Sequence, residues 1–279
     1  ENEAAMARVV ALCKSVGHSK MGVQLAHAGR KASTQRPWEG GLALTQDAWQ
    51  TFAPSAIAFD NGWHTPEALN VAGMARIKGA FVAAAERALR IDMDVIELHA
   101  AHGYLLHQFL SPLSNQRDDS YGGSIDNRMR FPLEIFDAVR AVWPEDRPLF
   151  VRVSASDWVD GGWDVEQTTQ FAEELQARGC SALHFSSGGN SPLQKIAIGP
   201  GYQVGFASFI RQRVTMPVIA VGMITDPFQA ETIIRSGQAD MVALAREFLR
   251  DPHWTWRAAK ALRATSSVPP QYQRAVSFD

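Results

Sequence analysis

Alternation constrains this chain more than any other feature: short β-branched runs recur between longer amphipathic stretches along nearly its whole length. Period-2 runs read as strands and 3.6-period stretches as helices, and strands that alternate with helices imply crossover connections and a parallel sheet. The strands are predicted at Met21–His27, Val95–Ala101, Leu149–Ser154, Ala182–Ser186, Pro217–Gly222 and Met241–Arg246. Helix starts are predicted at Thr65-Pro66, at Asp164 with Gln167 three residues on, at Asp226-Pro227 and at Asp251-Pro252. In each, a capping side chain precedes a residue suited to the first turn. Gly179 and Gly237 fall where helices should stop.

Spacing separates a barrel from a doubly wound sheet. A (β/α)8 barrel spends roughly 250 residues on eight units, about 31 each, and the strands recur at about that interval once the long loop after the first is set aside. Six strands fall two short of closure. Residues 1 to 17 read as a helix feeding the Met21 strand, and the chain opens on Glu1 inside helix-like sequence. The expected fold is therefore an α/β (β/α)8 TIM barrel whose first two βα units, roughly 60 to 80 residues, lie before Glu1. Residues 1–279 read as one domain, with residues 32–64 as an active-site loop and residues 265–279 as a C-terminal tail stiffened by Pro269-Pro270.

Composition excludes several function classes. With 279 residues and 46% hydrophobic content the chain can bury a sizeable core. Its 27 basic and 29 acidic residues leave a net charge of −2, which supplies no field to attract nucleic acid or an anionic membrane. No apolar run approaches a membrane span of ~18 residues. Cys13 and Cys180 build neither a disulfide framework nor a four-cysteine cluster, and such sparse usage suits the cytoplasm.

Side chains at the C-terminal ends of barrel strands converge on one site. The first strand delivers Gln24, His27, Arg30 and Lys31 there, and the second delivers His99, His102 and Tyr104. The third carries Arg152 within an apolar run, where a cation needs an acceptor. The last two end in Gly222-Met223 and Ala245-Arg246. A glycine for close approach and a guanidinium for a charge-assisted contact together suit a phosphate. Each piece also has a plain structural reading: His99 as a structural histidine, Arg246 in a helix-terminal salt bridge, Arg152 paired with Glu97. A different chemistry also fits the histidines, with His99 and His102 as two ligands of a metal-dependent barrel hydrolase.

The segments Gln24–Ser33 (QLAHAGRKAS), Ile96–Arg130 (IELHAAHGYLLHQFLSPLSNQRDDSYGGSIDNRMR) and Leu149–Asp157 (LFVRVSASD) resemble the Old Yellow Enzyme family of FMN-dependent ene-reductases, closest to its thermophilic-like or xenobiotic-reductase branch. The resemblance runs from about Met21 to Arg274. It implies a flavin-binding barrel that holds FMN, takes hydride from NADPH or NADH and reduces C=C bonds conjugated to carbonyl or nitro groups. By the same resemblance His99 and His102 bind the substrate's activating oxygen and Tyr104 donates the proton. Gln24 meets the flavin pyrimidine edge, and Arg152 meets N1 and the C2 carbonyl. Gly222, Met223, Ala245 and Arg246 cradle the phosphate. Tyr272 and Arg274 match a QYxR tail that reaches a neighbouring subunit, which implies a homodimer or homotetramer. No metal is implied, and the partner is a small activated alkene.

Departures accompany the matches. The family's flavin-tuning cysteine or threonine and its substrate-facing tyrosine are not found, Ala245 stands where glycine is common, and Arg90-Ile91-Asp92-Met93 replaces the usual Ala-Gly-Phe turn. Iron–sulfur relatives of the same barrel type need four cysteines and are disfavoured. A truncated, non-catalytic homologue is the remaining alternative.

Overall fold

The fold comes from a computed structural model, which describes residues 2–276. Its helices are α1 (Asn2–Val16), α2 (Val71–Arg90), α3 (Leu105–Leu110), α4 (Ile125–Arg140), α5 (Val165–Ala177), α6 (Val204–Arg211), α7 (Pro227–Arg235), α8 (Arg246–Arg250), α9 (Trp254–Ala261) and α10 (Gln273–Val276). Strands β1 (Gly22–Leu25), β4 (Val95–Ala100), β5 (Leu149–Ser154), β6 (Ala182–Ser186), β7 (Val218–Val221) and β8 (Met241–Ala243) form one parallel sheet in that order. The short strands β2 (Phe52–Ala53) and β3 (Glu67–Ala68) pair with each other inside the segment between β1 and α2. Among the described residues β1 and β8 each have a single strand neighbour. No helix among them is long and apolar enough to cross a membrane.

Strand alternation gives this sheet two unlike faces. Ile96, Leu98, Val151, Val153, Leu183, Phe185, Val218 and Ala220 point one way and are buried with helix residues such as Phe81, Phe131, Phe136 and Phe171. Gln24, Glu97, His99, Arg152, Ser154, His184 and Ser186 occupy the alternate positions of the same strands. The core thus lies between sheet and helices, and the opposite face carries the polar groups.

Several local expectations need correction. The predicted strands at Met21–His27, Val95–Ala101, Pro217–Gly222 and Met241–Arg246 are shorter than expected, while β5 and β6 match residue for residue. Thr65-Pro66 does not start a helix. Residues 67 and 69 donate to the Thr51 and Ala53 carbonyls and so remain extended, and α2 begins after Asn70, whose side chain accepts from the Gly73 amide at 2.8 Å. Asp251-Pro252 makes a turn first. Its carboxylate accepts from the His253 amide, and α9 starts at Trp254. Asp164 and Asp226 cap α5 and α7 as predicted. The altered turn after α2 places Asp92, not glycine, at φ +61°, clamped by Lys14 at 2.8 Å and Arg147 at 2.9 Å. Residues 277–279 of the predicted tail lie outside the described residues.

Candidate active site

Parallel register assembles the polar face. It sets Gln24 beside Glu97, His99 beside Arg152 and Arg152 beside His184. Glu97 accepts from the Gln24 side-chain amide at 2.6 Å through one oxygen and lies 2.9 Å from His184 Nδ1 through the other. Burial acts to raise the Glu97 pKa, but His184, Gln24 and the charge of Arg152 together hold it below the usual carboxylate range. Arg152 makes no ion pair among the described residues, so the alternative reading of an Arg152–Glu97 pair is not realised. Burial depresses the Arg152 pKa against the favourable charge of Glu97, and its buried Nε has no acceptor. A guanidinium placed this way is unsatisfied until an acceptor arrives.

His99, His102 and Tyr104 are neighbours. His99 is 3% exposed, and its ring centroid lies 5.0 Å from that of His102 and 5.1 Å from that of Tyr104. His102 Nδ1 sits 3.3 Å from His99 Nε2, while His102 Nε2 sits 2.6 Å from Ser186 Oγ. Burial, then the charge of Arg152, pushes the His99 pKa down to about 4 and that of His102 to about 2. Both rings are therefore neutral at pH 7, each with one N–H to donate. Among the described residues no three His, Cys, Asp or Glu side chains assemble as a metal centre.

The backbone that carries His102 is itself pinned. His102 has φ +58°, an uncommon left-handed conformation for a residue with a Cβ. Its N–H donates to Ser154 Oγ at 2.9 Å, and its carbonyl accepts from Lys31 Nζ at 2.9 Å. Gly103 follows at φ +71°, where an added Cβ would lie 2.2 Å from the Gly189 carbonyl oxygen, so only glycine fits. The Gly103 amide donates to His107 Nδ1 at 2.9 Å, which leaves His107 Nε2 to carry the hydrogen facing Asp157 at 3.0 Å. Asp157, fully buried, accepts from Ser111 Oγ at 2.5 Å and the Trp163 amide at 2.8 Å.

Beyond His102 a cleft of about 320 Å³ opens along the C-terminal strand ends. His102, Arg152 and Ser186 line it together with Gly222, Met223, Ala245 and Arg246, so six of the sequence-predicted residues share one cavity. Gly222 has φ +139°, and an added Cβ would stand 3.1 Å from Gln203 Nε2, which itself donates to the Val221 carbonyl at 3.0 Å. Met223 follows in the left-handed region at φ +51°. Arg246 is exposed and makes no ion pair among the described residues. The ion pairs near the start of α8 belong instead to Glu247 with Arg250 and Arg257, and to Asp251 with Arg257. The alternative reading of Arg246 in a helix-terminal salt bridge is thus not realised among the described residues.

Other predicted residues lie outside this cavity. Gln24 is exposed on edge strand β1, tied to the polar face through Glu97. His99 is buried behind His102, and Tyr104 is half-buried beside it. Tyr272 packs in its own chain on Trp256 and His253, with ring centroids 5.2 and 5.6 Å away, and Arg274 is exposed. Lys31, with burial the main cause, has its pKa lowered to about 8, and lies 4.7 Å from the Phe59 ring. Buried Arg30 donates to the carbonyls of Asn190, Ile57 and Ala58, which fastens the long loop over the strand ends. Sequence reasoning missed His184, Ser186, Ser154, His107 and Asp157. The alternation of Ala182–Ser186 was the available signal for the first two.

Comparison with known proteins places the chain in a family. Residues 6–265 match the NADH:flavin oxidoreductase / NADH oxidase family. The chain is 46% identical over 260 residues to an NADPH dehydrogenase of Geobacillus sp. (strain WCH70), covering 93% of this chain and 72% of the relative. It is 48% identical over 256 residues to an NADPH dehydrogenase of Bacillus subtilis (strain 168), covering 92% and 71%. The structure of morphinone reductase in complex with tetrahydroNAD superposes with a TM-score of 0.74 at 31% identity, over 96% of this chain and 73% of that one. The chain belongs to the NADH:flavin oxidoreductase / NADH oxidase family, as an Old Yellow Enzyme-type, NAD(P)H-dependent flavin oxidoreductase whose cofactor is FMN.

Proposed function

We propose that this protein reduces C=C bonds conjugated to a carbonyl or nitro group, and that its site residues act as the family resemblance implies. The observation that carries the reading is the single cleft in which a neutral His102 faces Arg152, Gly222 and Arg246. Three features fit FMN: the Arg152 Nε and the Arg246 side chain, both unpartnered among the described residues, and the Gly222 turn at φ +139°, a backbone conformation that suits glycine. Arg246 and the Gly222 backbone, with Met223 and Ala245, hold the phosphate; Arg152 and Gln24 hold the ring edge. Bound there, FMN would supply the transfer of hydride from NAD(P)H to the alkene. The His99–His102 pair binds the activating oxygen, where negative charge grows as reduction proceeds, and neutral N–H donors aimed there lower the barrier. That binding requires the rings to exchange their present contacts with each other and with Ser186 for the substrate oxygen. Tyr104, beside His99, keeps a proton at its hydroxyl for the α-carbon.

In the same reading the six strands belong to a (β/α)8 barrel, which the two open sheet edges support. Arg274 serves a neighbouring subunit in a homodimer or homotetramer, supported by its exposure. A reducing cytoplasm suits the two free cysteines. The deciding experiment is anaerobic: FMN-loaded protein should bleach with NADPH or NADH and regain its colour on addition of an enone. Bleaching by NAD(P)H with no response to enones or nitroalkenes rejects C=C reduction.

A further inference from the structure

We propose that Glu97 is a positioning residue that orients the amide of Gln24 for the flavin ring, an inference that rests on the reading of Gln24 as a flavin contact. A glutamine amide has a donating and an accepting end, and its orientation follows from its partners. The partner here is an ionised carboxylate, which only accepts. Gln24 Nε2 must therefore face Glu97, at 2.6 Å, and Oε1 is turned away from it. Gln24 is exposed, and no protein group bonds its Oε1 among the described residues, so that oxygen is free to accept from a ligand donor. The pyrimidine edge of a flavin presents one such donor, N3–H, between two carbonyl acceptors.

Glu97 is in turn held from its other side. His184 Nδ1 lies 2.9 Å from its second oxygen, which fixes the carboxylate plane and leaves His184 Nε2 buried without a partner. Support thus reaches Gln24 from β6 through Glu97 on β4, with the His184 contact crossing over β5. Against burial, the His184 hydrogen bond, then Gln24 and the charge of Arg152, hold the carboxylate below its usual range. Among the described residues the bond to Glu97 is the side-chain hydrogen bond of Gln24, so the carboxylate is what orients its amide.

The test is a double-mutant cycle on FMN affinity, read by quenching of flavin fluorescence on titration into apoprotein. Gln24→Ala and Glu97→Asp should each weaken FMN by roughly three- to tenfold, the effect of one lost hydrogen bond. The double variant should be no weaker than Gln24→Ala alone, because Glu97 acts through Gln24. Glu97→Asp keeps the charge and withdraws it by one methylene, which separates orientation from electrostatics. The second readout is N3-methyl FMN, which lacks the N3–H. Its affinity should be the same in the wild type and in Glu97→Asp. Additive losses, or an equal Glu97→Asp loss with the N3-methyl cofactor, overturn the positioning role. Wild-type FMN affinity in Gln24→Ala overturns the underlying flavin contact instead. If Glu97→Asp fails to fold, by thermal melting of the apoprotein, wild type and Gln24→Ala are compared with both cofactors. A Gln24→Ala loss that persists with N3-methyl FMN then rejects the proposed amide orientation.

Discussion

Neutral histidine is the central chemical feature at the scale of single residues, and it has two measurable consequences. A hydrogen-bond donor that carries no charge is not drawn to the anionic phosphate of a cofactor, so replacing both His99 and His102 with Ala should leave FMN affinity near wild type. Enone reduction should fall by more than the ~10² typical of one lost oxyanion donor. Wild-type enone turnover in that double variant would contradict the substrate role. The second consequence is a pH dependence of stability. An unfolded histidine takes up a proton near pH 6.5, whereas folded His99 resists until about 4 and His102 until about 2. Across that window the unfolded state binds more protons, so stability is complete above about pH 6.5 and falls as the pH drops. For His99 the full effect is about 3 kcal/mol. Depressed carboxylates at Glu97 and Asp157 act in the same direction. Thermal melts between pH 7.5 and 4.5 should show the acid loss, and a His99→Asn, His102→Asn variant should lose less. The residue types of this site were legible in the sequence, but their partners were not. Glu97 was a conceivable mate for Arg152, and only the strand register, with Gln24 on one side and His184 within reach on the other, assigns it elsewhere.

Strands and helices position these groups with different degrees of sequence signal. β5 and β6 were legible to the residue because apolar runs there alternate cleanly with Arg152, His184 and Ser186. The ends of β1, β7 and β8 were not, since the residues just past them are apolar or small yet serve as site loops. Thr65-Pro66 carried a sound capping pattern, but pairing of β3 with β2 outweighed it, and Asn70 capped the helix five residues later. The same competition shapes the β7–α7 and β8–α8 connections, where backbone and one arginine make the proposed phosphate cradle. Arg246 has no ion pair among the described residues, so Arg246→Ala should leave the melting temperature of the apoprotein unchanged. It should weaken FMN by about 10- to 100-fold at low salt, the scale of a charge-assisted hydrogen bond, and by less at high salt. Titration of FMN at several salt concentrations checks this, and unchanged affinity at all of them removes Arg246 from the cradle.

At the scale of the whole molecule, two apolar margins stand at opposite ends of one sheet. β1 has β4 on one side only, and near it α1 presents Met6, Val9, Leu12 and Val16 at 46%, 57%, 63% and 68% exposure. These positions recur at helical spacing and make one stripe, while Val10, which flanks it next to Met6, is 2% exposed and packs into the core. At the far end β8 pairs, among the described residues, with β7 alone, and Met241, Phe248 and Leu249 are exposed. Unpaired strand backbone beside apolar surface is a template for association, because it satisfies peptide groups and removes hydrocarbon from water in one step. A polypeptide of residues 1–279 should therefore self-associate increasingly over micromolar to millimolar concentrations, as followed by sedimentation. Charged substitutions on the α1 stripe, Val9→Glu with Leu12→Lys, should suppress association, since both side chains are already in solvent and no core contact is lost. Removal of residues 269 to 279 distinguishes this route from the proposed exchange of Arg274 between subunits. Association that survives the tail deletion but not the α1 substitutions assigns it to the sheet margin, and a strictly monomeric wild-type polypeptide over the whole concentration range refutes the argument from open edges.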